Sequence, residues 1–534
     1  MLWLANACDS TVRWGLVALI VFTPLAFGTV EAWAIAIMEW GIVTLILIEW
    51  SGHTLRGESG RARFILKSGL FLPLALFLGL CALQLVPMPQ RWLENLSPGS
   101  ARLYASGVSG TLRQDAVAVE HLDEMIEQIG LEPIPDRRSI SVNPETSVAR
   151  IHLLAVFSGL FFLVAAWADR GERILFLLGS LTVVGFLVAL FGLVQHLTWN
   201  GHIYWVRRVA RDTAFGPFVN HNHFAGYVEM VIPVALSMAF FLLDPRRRFS
   251  SATGRGEVWE GQAAEEPHDS DDRESFASRW GQSVLAFFAS VILVASLFLS
   301  QSRGGILSAL MSAMVLFFLV WRRIPSRLLA WSIAAVLPVI TLLFTLWVGA
   351  DLIKQHGSAL LAVEHEASLR SRWLVWNEVV HQLPLAGWMG HGIGAFEDSF
   401  APHTPPGSAS RWDKAHNDYL QLAWETGIVG GLLIFWGLLV YGRRYLWPAL
   451  RARAHSLDLF RLGIAVSVLS LLLHSFVDFN LQIGANGFLF ALLAGLLVAL
   501  HRQVQSEESA ADGGADEGEA PSTRLQEAGD GHIV

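Results

Sequence analysis

The stretch WDKAHNDYLQLAWETGIVG, residues 412–430, joins a polar segment that contains a histidine directly to an apolar run. A helix buried in a soluble core has little reason to begin with the cluster DKAHND, and a simple membrane helix has even less. We interpret this stretch as the place where polar chemistry meets the wall of a membrane.

The bulk composition supports a membrane setting. Of 534 residues, 53% are hydrophobic and 16% charged, and the mean hydropathy is +0.45. This composition is too apolar for an ordinary soluble protein. Nothing in the sequence predicts nucleic-acid binding. The only two cysteines, Cys8 and Cys81, exclude a disulfide framework or a thiolate metal site.

Apolar runs long enough to cross a bilayer recur along the chain and predict an all-α polytopic integral membrane protein with about twelve transmembrane helices. The runs are 12–29, 32–50, 67–87, 148–168, 173–195, 223–243, 282–300, 304–321, 328–348, 427–446, 460–479 and 484–501. Because the first run is followed at once by a second, we expect an anchor that is kept and not a cleaved signal peptide.

Arginine and lysine are concentrated in every second connection between these runs. By the positive-inside rule, these connections and both termini are predicted to be cytoplasmic. The remaining connections then face the periplasm, so we expect a multi-pass protein of the bacterial inner membrane with its site on the periplasmic side.

Two long predicted periplasmic loops organise the chain. The N-terminal membrane helices, residues 1–200, carry the loop 88–147, and a core region, residues 201–501, carries the loop 349–426. Loops of this length are usually functional or disordered.

Two further segments are rich in glycine, serine and acidic residues. They are the insert 250–280 and the acidic cytoplasmic tail 502–534. This composition predicts disorder, so no chemistry is assigned to either segment.

His416 and Asn417 begin the pattern H-N-x9-G-x-x-G, which ends at Gly427 and Gly430. A helix N-terminus disfavours a cation, so an imidazole there stays neutral and can accept a proton from a hydroxyl group. An interfacial histidine that only caps the helix is an equally good interpretation of these residues alone.

Arg303 lies in the sequence SQSRGG, in a short turn between two apolar runs. A charge so close to hydrocarbon is costly and indicates function, while Gly304 and Gly305 allow a tight turn. The alternative is an arginine that merely reaches for the membrane surface.

Three other patterns receive plainer interpretations. The run Asn220–His223 lacks a carboxylate at metal spacing and favours polar lining or helix capping. The glycines from Gly387 to Gly394 follow no strand, so they indicate a tight turn and not a nucleotide site. His474 and Asp478 are one helical turn apart and predict a mutual hydrogen bond.

The pattern at residues 416–430 resembles the signature of bacterial O-antigen ligases, in a superfamily shared with O-antigen polymerases and protein O-oligosaccharyltransferases. Four further stretches resemble the same superfamily in the expected order. They are FVNHNHFAGY (218–227), SQSRGGIL (300–307), SRWLVWNEVVHQLPLAGWMGHGIGAF (371–396) and HSFVDFNLQIGAN (474–486).

The resemblance implies a C-type glycosyltransferase-like architecture and a metal-independent, inverting glycosyltransferase without a cofactor. Its donor would be a polyprenyl diphosphate-linked glycan, and its acceptor, in a ligase, a hydroxyl of the lipid A core. Arg303 and Arg372, helped by Arg211, would bind the diphosphate. His416 would orient or deprotonate the acceptor, and Asn417 would shape the site.

Other functions remain open at this stage. Within the superfamily, an O-antigen or exopolysaccharide polymerase, or a protein O-oligosaccharyltransferase, would use a different acceptor glycan, glycolipid or protein. From another class, a polysaccharide transporter or flippase would also contain about twelve spans, but it should show internal repeats and charges near the midplane. Glu39 is one such charge, but no repeat is visible.

Overall fold

The computed structural model describes most of the chain. The described residues are 2–57, 61–112, 137–209, 213–243, 269–320, 339, 343, 367–404, 412–451 and 457–516. Within these ranges the chain is built almost entirely from helices, which confirms the prediction of an all-α polytopic membrane protein.

The helices are labelled in chain order. They are α1 (Leu2–Leu25), α2 (Ala32–Arg56), α3 (Arg61–Lys67), α4 (Phe71–Leu83), α5 (Gln90–Leu96), α6 (Pro98–Leu112), α7 (Pro144–Trp167), α8 (Gly171–Leu197), α9 (His221–Leu243), α10 (Asp269–Leu299), α11 (Arg303–Val320), α12 (Ala367–Gln382), α13 (Phe396–Phe400), α14 (Asp418–Tyr441), α15 (Trp447–Arg451), α16 (Asp458–His474) and α17 (Gly484–Asp516). A π-helical turn, Gly442–Leu446, joins α14 to α15, and 3₁₀ turns occupy Leu383–Ala386, Ala401–His403 and Asn480–Gln482.

Eight of the described helices are long and apolar enough to cross a membrane. The count of about twelve is therefore not confirmed. The apolar helices Phe71–Leu83 and Arg303–Phe318 are shorter, and the predicted span 328–348 lies almost entirely outside the described residues. Helix α4 ends at Leu83, and the side chain of the next residue, Gln84, donates to the carbonyl oxygens of Met389 and Glu425.

Successive long helices run in alternating directions, so their connections collect at two ends of the bundle. At one end, called the site end below, Ala485 N donates to Gly28 O, and Tyr204 Oη donates to Leu25 O. At the other end, Arg444 donates to the carbonyl oxygen of Lys67. This alternation is the one expected from the charge pattern of the connections.

The centre of the bundle is formed by α9, α16 and α17. Helix α17 buries apolar side chains on all sides, including Leu493 and Leu497, as expected for a helix surrounded by other helices. Helix α9 is also largely buried and packs against α10 and α16. These central helices hold the connection between α16 and α17 in a fixed position at the site end.

The two long predicted loops fold back onto the site end where the structure describes them. In the first, strand β1 (Met88–Pro89) pairs with β2 (Arg137–Arg138), and Leu93 and Ile140 lie in a small apolar cluster. The second contains α12 and α13, which pack around the buried ring of Trp424. A further strand pair, β3 (His202–Ile203) with β4 (Arg207–Arg208), follows α8.

Composition predicted disorder in the insert 250–280 and in the tail 502–534. Where these segments are described, the structure differs: α10 begins at Asp269 and α17 continues to Asp516. Extending an existing helix adds one hydrogen bond per residue, and the tail sequence QVQSEESAA contains good helix formers. Composition alone does not register this extension.

Helix α14 is broken at Gly427, where φ is 63° and ψ is −162°. The backbone groups released by the break bind the glycine-rich loop: Ile428 N donates to Gly387 O, and Val429 N donates to Trp388 O at 3.0 Å. All four glycines of that loop have positive φ, so the prediction of a tight turn is confirmed. The loop thereby fixes the half of α14 that begins with the HND cluster.

The approach of these two backbones predicts that Gly390→Ala destabilises the protein. Gly390 has φ of +71°, and a Cβ atom there would overlap the backbone oxygen of Glu425, which cannot move aside. We expect a loss of about 2 kcal/mol or more, measured as a lower thermal unfolding midpoint of the purified protein. Gly431→Ala is the matched control, because a Cβ at Gly431 meets no atom within 4 Å; equal effects of both changes would contradict the proposed packing.

Candidate active site

The connection between α16 and α17, residues 475–483, is the centre of the site end. Ser475 O accepts a hydrogen bond from Asp418 N at 2.9 Å, and Val477 O accepts one from the Arg372 guanidinium at 2.7 Å. Further along, Asn480 accepts a hydrogen bond from Asn486, which also donates to the carbonyl oxygen of His223. The connection therefore contacts α9, α12 and α14 at once.

His416 faces this connection. Its Nδ1 lies 3.3 Å from Oδ1 of Asp478, and its ring meets Phe479 edge-on at 4.9 Å between centroids. The residue has φ of +50°, a backbone conformation that non-glycine residues seldom adopt and that clusters at functional sites. The side chain keeps 19% of its surface exposed, so His416 is not fully enclosed by the fold.

Asp478 is the buried acid of the site, with 1% of its side chain exposed. Its Oδ1 also accepts from Phe479 N, and Arg372 Nη2 lies 3.9 Å from its Oδ2. Burial alone would raise the pKa of Asp478, but the Arg372 guanidinium and the hydrogen bond from His416 outweigh burial and hold that pKa well below its usual range. The carboxylate is thus a fixed negative charge.

A fixed carboxylate at Nδ1 selects one form of the imidazole. When Nδ1 carries the hydrogen, it donates to Asp478, and the lone pair of Nε2 is then available for a hydroxyl proton. The Asp478 carboxylate accepts a hydrogen bond only if Nδ1 carries the hydrogen. It therefore favours the tautomer of His416 in which Nε2 is unprotonated.

Asn417 has a different task. It is the N-cap of α14, and its Oδ1 accepts from the backbone N–H groups of Tyr419 and Leu420, both at 3.0 Å. Capping of this kind starts a helix at a defined residue. Asn417 therefore fixes the position of His416, one residue earlier in the chain.

Arg372 and Trp376, in the stretch 371–396 that resembles the superfamily, join α12 to both sides of the site. Arg372, with 13% of its side chain exposed, contacts the 477–478 segment, while Trp376 Nε1 donates to Ala415 O at 2.8 Å. The two residues are one helical turn apart and share one face of α12. The structure thus brings Arg372 and His416 together on opposite sides of Asp478.

Arg303 is the first residue of α11 and is half-buried. The two glycines that follow it pack against α16: a Cβ at Gly304 would lie 3.0 Å from both Nε2 of His474 and Cγ2 of Val477. This close approach places the α11 N-terminus beside the segment that Arg372 and His416 contact. The glycines of SQSRGG therefore serve helix packing as well as the turn.

The structure does not test the prediction for Arg211, and it contradicts the hydrogen bond predicted between His474 and Asp478. Arg211 lies outside the described residues, whereas its neighbour Arg207 pairs with Glu31 at 2.5 Å. The mutual hydrogen bond predicted for His474 and Asp478 is wrong, because α16 ends at His474 and the chain turns there. His474 instead pairs with Glu229 on α9, its Nδ1 3.1 Å from Oε1.

The histidines of the run Asn220–His223 contact the fold and line the site end. His221 Nδ1 lies 2.7 Å from Ser300 O, and the buried His223 ring meets Phe479 edge-on at 5.0 Å. Asn220 Oδ1 accepts from Asn222 N, which is a capping contact. In the described part of the chain, no group of three or more His, Cys, Asp and Glu side chains is arranged to hold a metal ion.

Residues 288–435 match the family model described as O-Antigen ligase. Over this region the chain is similar to O-antigen ligases, which supports its place in the O-antigen ligase superfamily. This confirms the family predicted from the sequence motifs, and it indicates a membrane glycosyltransferase-type enzyme of the ligase and polymerase group. Among curated proteins, none matches the chain.

The O-antigen ligase match includes Arg303, Arg372, His416 and Asn417, while Asp478 lies beyond it. Sequence reasoning did not connect Asp478 to His416, which is 62 positions away. The available signal was a carboxylate within the otherwise apolar sequence SFVDFN, directly after a predicted span. Glu229 was missed in the same way, although it is a buried acid in a predicted span.

A further histidine, His391, is buried within the region 288–435 that matches the family model. His391 is buried, stacks on Trp424 with ring centroids 4.3 Å apart, and its Nδ1 lies 3.1 Å from Trp424 O. Burial lowers the pKa of His391 to about 4. Its neutral form is therefore the one that the fold requires.

This lowered pKa predicts acid sensitivity of folding. The unfolded imidazole titrates near about 6.5, so between that pH and about 4 the unfolded state binds more protons, and stability falls as pH drops through this window, by about 3 kcal/mol at most. His391→Phe keeps an aromatic ring on Trp424 but cannot be protonated. Thermal unfolding between pH 7.5 and 4.5 should show a shallower loss in this variant, and identical pH profiles would contradict the assignment.

Proposed function

We propose that this superfamily member transfers a glycan from a polyprenyl diphosphate carrier to a hydroxyl group of an acceptor glycolipid or glycan. The observation that carries the proposal is the contact of His416 with the buried Asp478 carboxylate, with Arg372 on the other side of the same carboxylate. These residues place a histidine, oriented by a carboxylate, next to an arginine at one end of a membrane protein.

The proposed reaction is a single displacement at the anomeric carbon. His416 Nε2 accepts the proton of the acceptor hydroxyl while its oxygen forms the new glycosidic bond. The bond from the anomeric carbon to the diphosphate oxygen breaks, and the diphosphate leaves with the electron pair. Attack from the side opposite the leaving group inverts the anomeric centre.

Arg303 and Arg372 are proposed to stabilise the departing diphosphate. Guanidinium groups bind phosphate oxygens in a bidentate manner, and prearranged charge at the position where negative charge develops lowers the barrier. Arg372 also holds Val477 O and faces Asp478, so part of its hydrogen-bonding capacity orients the base. Arg303, at the N-terminus of α11, is proposed as a second diphosphate ligand, and Arg211 as a further one.

The site end is proposed to face the periplasm of a bacterial inner membrane, because the opposite end carries the basic connections. The acceptor defines the reaction type: a lipid A core hydroxyl makes the protein a ligase, which we propose. A second carrier-linked glycan would make it a polymerase. Deletion of the gene separates the two, because loss of a ligase leaves carrier-linked polymer without attachment, whereas loss of a polymerase leaves single repeat units.

His416→Ala should reduce glycan transfer by about 10²- to 10⁴-fold, the usual contribution of a general base. The measurement is transfer of carrier-linked glycan by membranes containing equal amounts of each variant. His202→Ala is the control, since the His202 ring is partly exposed on strand β3 and its Nδ1 contacts the carbonyl oxygen of Asn200. Undiminished transfer by His416→Ala would rule out the proposed role.

Arg303→Lys should reduce transfer although it keeps the positive charge, because an ammonium group cannot reproduce a bidentate contact with phosphate. We expect a loss of about tenfold or more, corresponding to one charge-assisted hydrogen bond. Arg170→Lys, an exposed substitution at the opposite end, is the control. Full activity of Arg303→Lys would contradict bidentate recognition of the diphosphate.

A further inference from the structure

A second polar cluster lies on the face of α14 that carries Asp418, Gln421 and Glu425. Gln482 joins this face to the α16–α17 connection: its Nε2 donates to Asp418 at 3.1 Å, and its Oε1 accepts from Gln421 at 3.2 Å. Gln421 also accepts from Ala415 N and donates to Glu425. The cluster is therefore continuous with the segment that carries His416 but does not include the diphosphate-binding arginines.

Arg150 reaches this cluster from the second turn of α7. Its side chain crosses Gly394, where a Cβ would collide with Arg150 Cγ, and its Nη1 lies 3.5 Å from Gln482 O, the limit of a hydrogen bond. Among the described residues, no carboxylate lies within ion-pair distance of its guanidinium. Most of its five N–H donors are thus available to another group.

Lys414 approaches the same cluster from the other side. It is half-buried and precedes Ala415, whose backbone is held by Gln421. In the part of the chain that the structure describes, its ammonium group forms neither an ion pair nor a hydrogen bond. Burial and then the positive charge of Arg150 lower the pKa of Lys414, while Glu425, Asp413 and Glu397 act in the opposite direction.

The nearest buried acid does not neutralise these two cations by contact. Glu425 Oε2 accepts from Gly394 N at 2.8 Å, and its Oε1 accepts from Gln421. The carboxylate is thus held by the glycine loop and by its own helix. Two partly buried cations that contact no carboxylate of the described residues carry a desolvation cost that an anionic ligand would reduce.

We infer that Arg150 and Lys414 form a subsite for an anionic sugar, one that carries a carboxylate or a phosphate ester. Because Lys414 is two residues from His416, at most about 7 Å along the chain, the anionic group belongs to the acceptor that His416 serves. This assignment of the acceptor rests on the proposed function, whereas anion binding by the two side chains does not.

Binding to the purified full-length protein in lipid nanodiscs tests the inference without a transfer assay. The probes are glucose 6-phosphate, glucuronate and glucose, measured by saturation-transfer NMR. We expect one or both acidic sugars to bind with a Kd of about 1 mM and glucose to bind far more weakly. Preference for glucose 6-phosphate identifies a phosphate ester as the ligand, and preference for glucuronate identifies a uronic acid.

Arg150→Gln and Lys414→Gln should each weaken binding of the acidic sugars by about tenfold or more, and Lys414→Arg should restore it. Arg170→Gln is the charge-matched control, and thermal unfolding verifies that each variant is folded. Three results would overturn the inference. Arg150→Gln and Lys414→Gln could both leave binding unchanged, glucose could bind as tightly as the acidic sugars, or binding could be lost in Arg303→Gln but kept in the Arg150 and Lys414 variants.

His416→Ala separates this inference from the proposed function. It should retain the acidic sugar while losing transfer. If wild-type protein binds the acidic sugars through Arg150 and Lys414 but transfers no glycan, the proposed function fails and the anion subsite stands.

Discussion

The site end depends on one buried charge, the carboxylate of Asp478. An ionised acid with almost no exposure is stable only if cations and hydrogen-bond donors surround it, and here they come from three separate parts of the chain. Arg372 approaches from α12, His416 from the segment before α14, and Phe479 N from the connection itself. Removing one partner of such a buried pair typically costs about 3–5 kcal/mol, so the charge fixes the position of the His416 imidazole.

A second constraint keeps His416 in place. The break of α14 at Gly427 would leave backbone groups without partners inside a membrane helix, where water cannot bind them. The loop from Gly387 to Gly394 binds these groups, and Gln84 at the end of α4 binds both the loop and Glu425 O. The first half of α14 is therefore held by its neighbours, and Asn417 sets the residue at which it begins.

The sequence was sufficient for those features that depend on local pattern. Apolar runs predicted the membrane helices, and the glycines at 387–394 predicted a tight turn. Features that depend on distant contacts were not predictable in this way. Whether Asp478 pairs with His474 or with His416 depends on where α16 ends and how the chain turns, and helical spacing alone gave the wrong partner.

Boundaries were also difficult to predict from composition. The span 67–87 was predicted longer than the observed helix Phe71–Leu83, and hydropathy does not register that Gln84 donates to the backbone of a distant loop. Composition likewise does not register that α17 continues past residue 502 because a helix, once formed, extends readily. In both cases tertiary contact or cooperativity overrides the local signal.

We propose that Asp478 and His416 act as one catalytic unit, and a double-mutant cycle on the rate of glycan transfer tests this most directly. Rates would be measured for wild type, Asp478→Asn, His416→Ala and the double variant at equal amounts of folded protein. If the acid acts through the histidine, its removal has no further effect once the histidine is absent, so the double variant should be no slower than His416→Ala. Additive losses, with the double variant slower by the product of the two single effects, would contradict the account.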